Sequence, residues 1–234
     1  MRDPATAGAE AGTRLVWDLP LRIFHWLLVV CVAGSWLTHE LGTEWFPWHV
    51  RLGYVTLVLV AFRIAWGFVG PRHACFASFL KGPGAVLRYL RGEGPVSAGH
   101  NPLGALGVAA MLLLLSAQAL SGLFANDEIL NTGPLYGYVS DGQSDRLTGL
   151  HGANFDVLLG LIGLHLAAIG WHRLRRRIDL VRPMWTGRKP AGQVPPGEEI
   201  DGHRLWLAVV LVALASAALW RVVTTAPPAS MSFY

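Results

Sequence analysis

The stretch from Thr148 to Arg177 constrains the fold most, because it is long and apolar enough to cross a bilayer as one helix. It carries His151 and His165, which are fourteen residues apart. At about 100° per residue, this spacing comes within roughly 40° of whole turns, so both imidazoles share one face. The helical rise separates them by roughly 21 Å, which is most of a hydrocarbon core. The sequence therefore predicts one histidine near each membrane surface, on one stripe of one helix.

Composition indicates an all-α membrane protein rather than a soluble domain. Of the 234 residues, 53% are hydrophobic, 15% are charged and ten are Trp, a residue favoured at membrane interfaces. The basic residues flank apolar runs, so no nucleic-acid partner is expected, and no CxxCH motif is present for covalent haem attachment. We predict five spans, at about residues 21–37, 48–69, 102–124, 148–177 and 205–223.

The distribution of Lys and Arg predicts the topology. With a cytoplasmic N-terminus, all nineteen except Arg51, Arg146 and Arg221 fall on cytoplasmic segments or at cytoplasmic helix ends. Five spans then place the C-terminus in the periplasm. We predict four segments in order: a cytoplasmic tail (1–20), a four-helix domain (21–189), a Pro/Gly linker (190–204), and a fifth transmembrane helix with a short periplasmic tail (205–234).

Four histidines form two pairs when they are placed by depth in the predicted bundle. His25 and His165 lie at the cytoplasmic level, and His49 and His151 lie at the outer level. A haem iron takes one axial imidazole on each ring face, so each ring must sit between two helices. The pattern therefore matches two bis-histidine haems stacked across the membrane. His39 also lies fourteen residues from His25, so spacing alone leaves it open as the outer ligand in place of His49.

Other polar residues in the spans have two interpretations each. Arg63 lies fourteen residues after His49, at the inner level, where it either binds an inner-haem propionate or extends to cytoplasmic water. Gln118 is most simply a helix–helix hydrogen bond, with a quinone or haem contact as the alternative. Glycines in the spans either admit a haem ring or serve ordinary helix packing, namely Gly34, Gly53, Gly160 and Gly163. Surface roles are expected for the remaining histidines, His73, His100, His172 and His203.

At these residues the chain resembles the bacterial cytochrome b561 family, which includes the cytochrome b subunits of nickel–iron hydrogenases. The matching segments lie between about residues 14 and 189 and are RIFHW, WHVRLGY, FRIAWGFVGPRHACF, GHNPLGALG, LHG with GLHLAA, and LVRPMWTGRK. The resemblance implies two haem b groups in a four-helix bundle. It also implies His25 and His165 as ligands of the inner iron and His49 and His151 as ligands of the outer iron. The fifth helix departs from a minimal four-helix member.

The expected function is electron transfer across the bacterial inner membrane between a quinone pool and a periplasmic or membrane redox partner. No catalytic residue is predicted, and an electron-transfer subunit of a quinone-linked oxidoreductase is favoured over a stand-alone enzyme. Alternatives are a superoxide or small-molecule oxidoreductase, the cytochrome b anchor of a hydrogenase-like complex, and a haem-free membrane anchor.

Two surfaces are expected to contact partners besides membrane lipid and quinone or quinol. The outer loops 38–48 and 125–146 are acidic, which suits a basic partner such as a c-type cytochrome. Helix 5 is expected to pack outside the haem bundle and to serve assembly, so truncation after Lys189 is expected to leave both haems bound.

Overall fold

The computed structural model describes residues 12–93, 97–127 and 131–228. In chain order, its elements are β1 (Thr13–Leu15), α1 (Leu19–Glu40), α2 (Phe46–Val69), α3 (Phe76–Phe79), α4 (Pro83–Leu90), α5 (Pro102–Gly122), α6 (Asp141–Arg175), α7 (Val181–Thr186), β2 (Arg188–Pro190) and α8 (Leu205–Thr224). Single turns of 3₁₀-helix lie at Thr43–Trp45, Arg72–Ala74, Tyr136–Tyr138 and Ala191–Gln193.

Five of these helices are long and apolar enough to cross a membrane: α1, α2 with the 3₁₀ turn before it, α5, α6 and α8. The prediction of an all-α membrane protein with five spans is therefore confirmed. The largest difference is that α6 begins at Asp141 instead of Thr148. Ser140 stands just before this helix, and its backbone N–H donates to Gln143 Oε1 over 3.0 Å. This is a capping-box arrangement, which starts the helix one to two turns before the apolar run begins.

The described chain divides into two compact units. Unit 1 comprises the residues up to His25, Arg63–Ala110 and Gly163–Ala208, and unit 2 comprises Trp26–Phe62, Met111–Ile162 and the residues from Val209 onward. Each unit buries its own set of apolar side chains.

In unit 1, the segment just before α1 pairs with the segment just after α7. β1 and β2 pair in antiparallel register, with Arg14 opposite Lys189. The N–H groups of Val16 and Trp17 both donate to Gly187 O, over 2.8 and 3.0 Å. Gly187 has φ +79°, a left-handed conformation that a glycine adopts without strain and that ends α7. Residues distant in sequence are thereby held together before α1 begins.

The segment 190–204, predicted as a Pro/Gly linker, is folded onto unit 1. Val194 and Ile200 are buried, and the N–H of Ile200 donates to Leu15 O over 3.0 Å. His203 Nδ1 accepts a hydrogen bond from the N–H of Leu19, and Arg204 Nη1 donates to Val69 O over 2.6 Å. The segment is therefore packed rather than extended, because its apolar residues Val194 and Ile200 are buried.

Unit 2 has an apolar centre made by three buried residues, Val60, Leu115 and Leu158. The segment between α5 and α6 folds back over this unit through polar contacts. Ser144 Oγ donates to Phe124 O over 2.6 Å, and the N–H of Leu135 donates to Leu123 O over 2.8 Å. The described parts of this connection, residues 123–127 and 131–140, therefore pack at the end of α5 and α6.

Helix α8 presents most of its apolar surface outward. Trp206, Val209, Leu214 and Trp220 are each exposed by more than 60%. Lipid would cover such a surface in a membrane, since large side chains of this kind are stable in hydrocarbon. The helix therefore differs from the 190–204 segment, which is buried at several positions.

Because of this difference, two truncations are expected to behave differently. Removal of the chain after Arg204 deletes α8 but keeps the 190–204 segment, so unit 1 loses only its last four residues and should stay folded. Removal after Lys189 should lower the free energy of unfolding by about 3 kcal/mol or more, since buried Val194 and Ile200 each contribute about 1.5–3 kcal/mol. Thermal unfolding of both truncated chains in the same detergent measures the difference. Equal stability of the two would contradict the structural role assigned to the segment.

Candidate metal centres formed by histidine pairs

Unit 2 brings the imidazoles of His49 and His151 together. His49 lies near the start of α2, and His151 lies in the N-terminal third of α6. Their ring centres are 6.1 Å apart. A metal–imidazole bond is about 2 Å long, so two imidazoles on opposite sides of one metal have centres roughly 6 Å apart. The spacing of this pair therefore fits axial coordination of a single iron.

Each of these two rings is oriented by a backbone carbonyl on another helix. His49 Nδ1 lies 2.9 Å from Ser35 O in α1, and His151 Nδ1 lies 3.0 Å from Gln118 O in α5. A carbonyl oxygen only accepts, so each Nδ1 carries the proton and donates it. The opposite nitrogen, Nε2, is then an unprotonated ligand. Histidines that bind metals are commonly fixed in this way, with the second nitrogen donating to a carbonyl.

The carbonyl that orients His151 is itself held in place. Asn154, which is buried, donates from Nδ2 to Gln118 Oε1 over 2.6 Å and to Leu114 O over 3.0 Å. Ser121 Oγ lies 3.3 Å from His151 Nδ1. Gln118 is thus a helix–helix hydrogen-bonding residue, the simpler of its two interpretations, and it also supports His151. Asn154 was missed in the sequence, although an amide within an apolar run, three residues after a histidine, is a usable signal.

His39 remains close to this site but differs in its surroundings. Its ring centre is also 6.1 Å from that of His49. The His39 side chain is exposed, however, whereas His49 and His151 are half-buried. The backbone anchor found for His49 and His151 therefore distinguishes them from the rival ligand more clearly than distance does.

Unit 1 contains the second predicted pair. His25 in α1 and His165 in α6 are both half-buried, and their imidazoles lie close enough to interact electrostatically. The two rings are therefore supplied by two different helices, as haem binding in a helix bundle requires.

Arg63 is the most deeply buried cation of unit 1, with 2% of its surface exposed. Its Nη1 and Nη2 atoms are buried and have no hydrogen-bond partner among the described residues. Asp18 supplies a nearby negative charge, but its carboxylate accepts from the N–H of Leu21 and from Trp66 Nε1, over 2.9 and 3.1 Å. A buried guanidinium with two unused donors is costly unless an anion is present. Its Cζ lies 5.1 and 5.8 Å from the centres of the Phe76 and Phe79 rings, and a carboxylate bound to the two Nη atoms would offset the remaining cost.

The glycines in the spans fall into two groups. A Cβ built on Gly34 would lie 2.9 Å from Leu52 Cδ1, so this glycine serves helix packing. Built on Gly53, Gly160 or Gly163, a Cβ would meet no described atom within 4 Å. These three positions leave room for a large group beside α2 and α6.

The expectation of surface roles for the remaining histidines is wrong for His73 and His100. His73 is buried and donates from Nε2 to Glu198 O over 2.6 Å, in the segment that was predicted as a linker. His100 Nδ1 is buried, and its ring packs against Trp17 and Phe79 with centres 4.8 Å apart in each case. The position of these histidines in predicted loops did not reveal their contacts, because His73 bonds to Glu198 and His100 packs on Trp17, both more than 80 residues away.

The chemistry of these sites favours a prosthetic group over a bare ion. Within the described residues, no three or more His, Cys, Asp or Glu side chains gather to hold a metal ion. A histidine pair supplies only two protein ligands, which is the number that a haem iron takes from the protein. Haem provides four nitrogen ligands in its plane and carries two propionates, which suits the paired imidazoles and the unused donors of Arg63.

The fold and these pairs define a class, the helical membrane proteins whose spans are suited to haem binding. The family model of prokaryotic cytochrome b561 matches residues 16–187. The chain belongs to this family, and it is a multi-pass membrane b-type cytochrome that functions in electron transfer. No curated protein and no solved structure matches the chain.

Gly122 provides a test of the His151 position, because a Cβ built there would lie 2.9 Å from Cε1 and 3.1 Å from Nδ1 of that ring. Gly122→Ala should shift the imidazole away from Gln118 O and weaken haem binding at the His49/His151 pair by about 10–100-fold, the usual effect of losing such support. Haem content per protein and the reduced-minus-oxidised optical spectrum measure the loss. Gly107→Ala is the matched control on the same helix, since no described atom lies within 4 Å of its Cβ. A fully loaded Gly122→Ala protein would contradict the assignment.

Proposed function

We propose that the protein is a di-haem cytochrome b that carries electrons across the bacterial inner membrane, between a quinone pool and a periplasmic or membrane redox partner. The observation that carries this proposal is the presence of one imidazole pair in each unit, with Nδ1 of His49 and His151 donated to backbone carbonyls. We name the group held by His25 and His165 the inner haem, and the group held by His49 and His151 the outer haem.

The use of two imidazoles at each site determines the type of chemistry. Bound haem supplies one-electron oxidation and reduction at its iron. Because two histidines would hold each haem iron, no position would be left on the metal for a gas or a substrate, which favours electron transfer over oxygenation. At the His49/His151 pair, fixing each ring by its Nδ1 would also keep the ligand geometry constant, so little reorganisation would accompany a change in the iron's charge.

Arg63 supports binding of the inner haem in this proposal. Its two unused donors match the bidentate geometry in which a guanidinium binds one carboxylate. A propionate held there would satisfy the buried charge of Arg63 and fix the rotation of the ring about the iron. The positive charge would also favour the reduced form of the haem electrostatically.

The orientation rests on the distribution of charge. Lys and Arg, apart from Arg51, Arg146 and Arg221, fall on segments that the proposal assigns to the cytoplasm. The outer segments hold exposed Glu40 and Glu44 together with Asp127, Asp141 and Asp145, while Glu128 lies outside the described residues. An acidic outer face would steer a partner with a basic docking surface, such as a small c-type cytochrome.

The ligand assignment predicts which haem each variant loses. His49→Ala or His151→Ala should each remove the outer haem and keep the inner one, while His25→Ala or His165→Ala should do the reverse, because one missing axial ligand empties that position. Pyridine haemochrome analysis and low-temperature optical spectra of the purified variants distinguish one haem from two. His39→Ala is the matched control and should retain both. If His39→Ala loses a haem and His49→Ala does not, the outer ligand on this side is His39.

The functional proposal is tested by rapid mixing of the purified protein with a short-chain ubiquinol, followed by a candidate periplasmic cytochrome. Haem reduction by quinol and reoxidation by the cytochrome are expected, with reoxidation slowing steeply as salt screens the acidic face. Glu40→Gln with Glu44→Gln should slow reoxidation at low salt. Glu93→Gln, an exposed carboxylate of unit 1, should not. A hydrogenase-like partner would run electrons in the opposite direction, towards oxidised quinone. Failure of quinol to reduce either haem, together with failure of quinone to reoxidise them, would end the quinone-linked proposal.

A further inference from the structure

Unit 1 gathers four basic side chains from distant parts of the sequence into one place. This basic cluster consists of Arg63 from α2, His73 from the turn after α2, His100 from just before α5, and Lys189 from β2. Two aromatic rings join its members: Trp17 lies 4.8 Å from the His100 ring, 6.2 Å from the His73 ring and 5.9 Å from Lys189 Nζ. Phe79 lies 4.8 Å from the His100 ring and 5.8 Å from Arg63 Cζ, so His100 stands between the other members. Burial, the largest cause, and the neighbouring charges of Arg63 and Lys189 together lower the pKa of His100 to about 3.

The members of the basic cluster differ in whether their donors are already used. Lys189 Nζ donates to Ala98 O over 2.7 Å, and His73 Nε2 donates to Glu198 O over 2.6 Å. In contrast, Arg63 Nη1 and Nη2 and His100 Nδ1 are buried and have no hydrogen-bond partner among the described residues. The basic cluster therefore has three buried nitrogens without a described partner, two on Arg63 and one on His100.

The unused nitrogen of His100 is held in a fixed position. Trp17 and Phe79 pack against its ring at 4.8 Å. Its backbone is held by Ser97 Oγ, which donates to His100 O, and by the next residue, Asn101, whose Oδ1 caps α5 by accepting from the N–H of Gly104 over 2.7 Å. A buried polar atom fixed in this way, without a partner, indicates a ligand that completes it.

The ligand that fits is an anion with more than one carboxylate. The positive charges of Arg63 and Lys189 are opposed locally by Asp18, which is committed to Leu21 and Trp66, and by Glu198, which pairs with Arg72 over 3.3 Å. A guanidinium takes one carboxylate in bidentate geometry, which leaves His100 for a second one. On the proposed function, the inner haem at the neighbouring His165 presents two propionates.

We propose that His100 is a second anchor of the inner haem, donating from Nδ1 to one propionate while Arg63 binds the other. This inference rests on the proposed function, because it requires a haem at His25 and His165. A carboxylate at Nδ1 selects the tautomer that carries its proton on that nitrogen. Lys189 contributes charge to the same site without using a donor on the ligand. His100 is a positioning residue in this proposal, since it does not touch the iron.

The test uses the full-length, haem-loaded protein and measures the midpoint potential of each haem by optical redox titration. His100→Leu should shift the one-electron reduction equilibrium of the inner haem about tenfold towards the oxidised form, which corresponds to about 59 mV. Arg63→Leu is expected to shift the same haem in the same direction. The outer haem is the internal reference and should keep its potential in both variants. His172→Leu is the matched control, because the Nδ1 of His172 bonds to Ala168 O of its own helix.

A second measurement separates a propionate contact from a general effect of polarity. The resonance Raman band for propionate bending of the inner haem should shift in His100→Leu and return in His100→Gln, which restores an N–H donor. If His100→Leu does not assemble, His100→Met, which also lacks an N–H donor, takes its place, and a propionate band unchanged from wild type in that variant overturns the inference. An unchanged inner potential in fully loaded His100→Leu also overturns it, as does a shifted potential with an unchanged propionate band.

Failure of this inference can be told apart from failure of the proposed function. If the wild-type protein lacks the low-spin spectrum of bis-histidine haem, or if His25→Ala retains two haems, the proposed function fails before His100 is tested. If Arg63→Leu shifts the inner potential and His100→Leu does not, the haem assignment stands and the role of His100 is wrong.

Discussion

The constraint on which the rest of the structure depends is that a polar group within an apolar span must find its partner inside the protein, since hydrocarbon offers none. Several hydroxyl groups meet this constraint on their own helix. Thr38 Oγ1 donates to Gly34 O over 2.8 Å, and Ser116 and Ser121 donate to carbonyls one turn earlier, over 2.7 Å in both cases. These residues need nothing from a neighbouring helix.

The side chains that do reach a neighbouring helix, or reach no described partner, mark the candidate sites. His49 and His151 bond to carbonyls of other helices, and Asn154 supports the second of these bonds. Arg63 has two buried donors with no partner among the described residues. The polar groups of the spans thus separate into those that the helix satisfies by itself and those whose satisfaction builds or awaits a cofactor site.

The two units support their sites in different ways. In unit 2 the imidazoles are oriented by neutral backbone carbonyls within a largely apolar setting. In unit 1 the surroundings are charged, and they depend on residues beyond the family match at 16–187, such as Lys189 and Glu198. The segment after the family match therefore contributes to the surroundings of the candidate site in unit 1. On the proposed function, charge around one site and its near absence around the other would give two haems with different reduction potentials.

The sequence by itself determined the five spans, because apolar length acts locally along the chain, and helical rise gave a predicted depth for each histidine. It also indicated Arg63, since fourteen-residue spacing from His49 defines a helix face without knowledge of the neighbours. Spacing could not distinguish His49 from His39, because the predicted depth of both is the same, and the exposure of His39 and the anchor of His49 at Ser35 O separate them. Tertiary structure alone decided the burial of His73 and His100 and the folding of the 190–204 segment, as these depend on partners 80 to 180 residues away. Periodicity carries no information about such contacts, because loops pack through individual side chains and turns rather than through a repeating face.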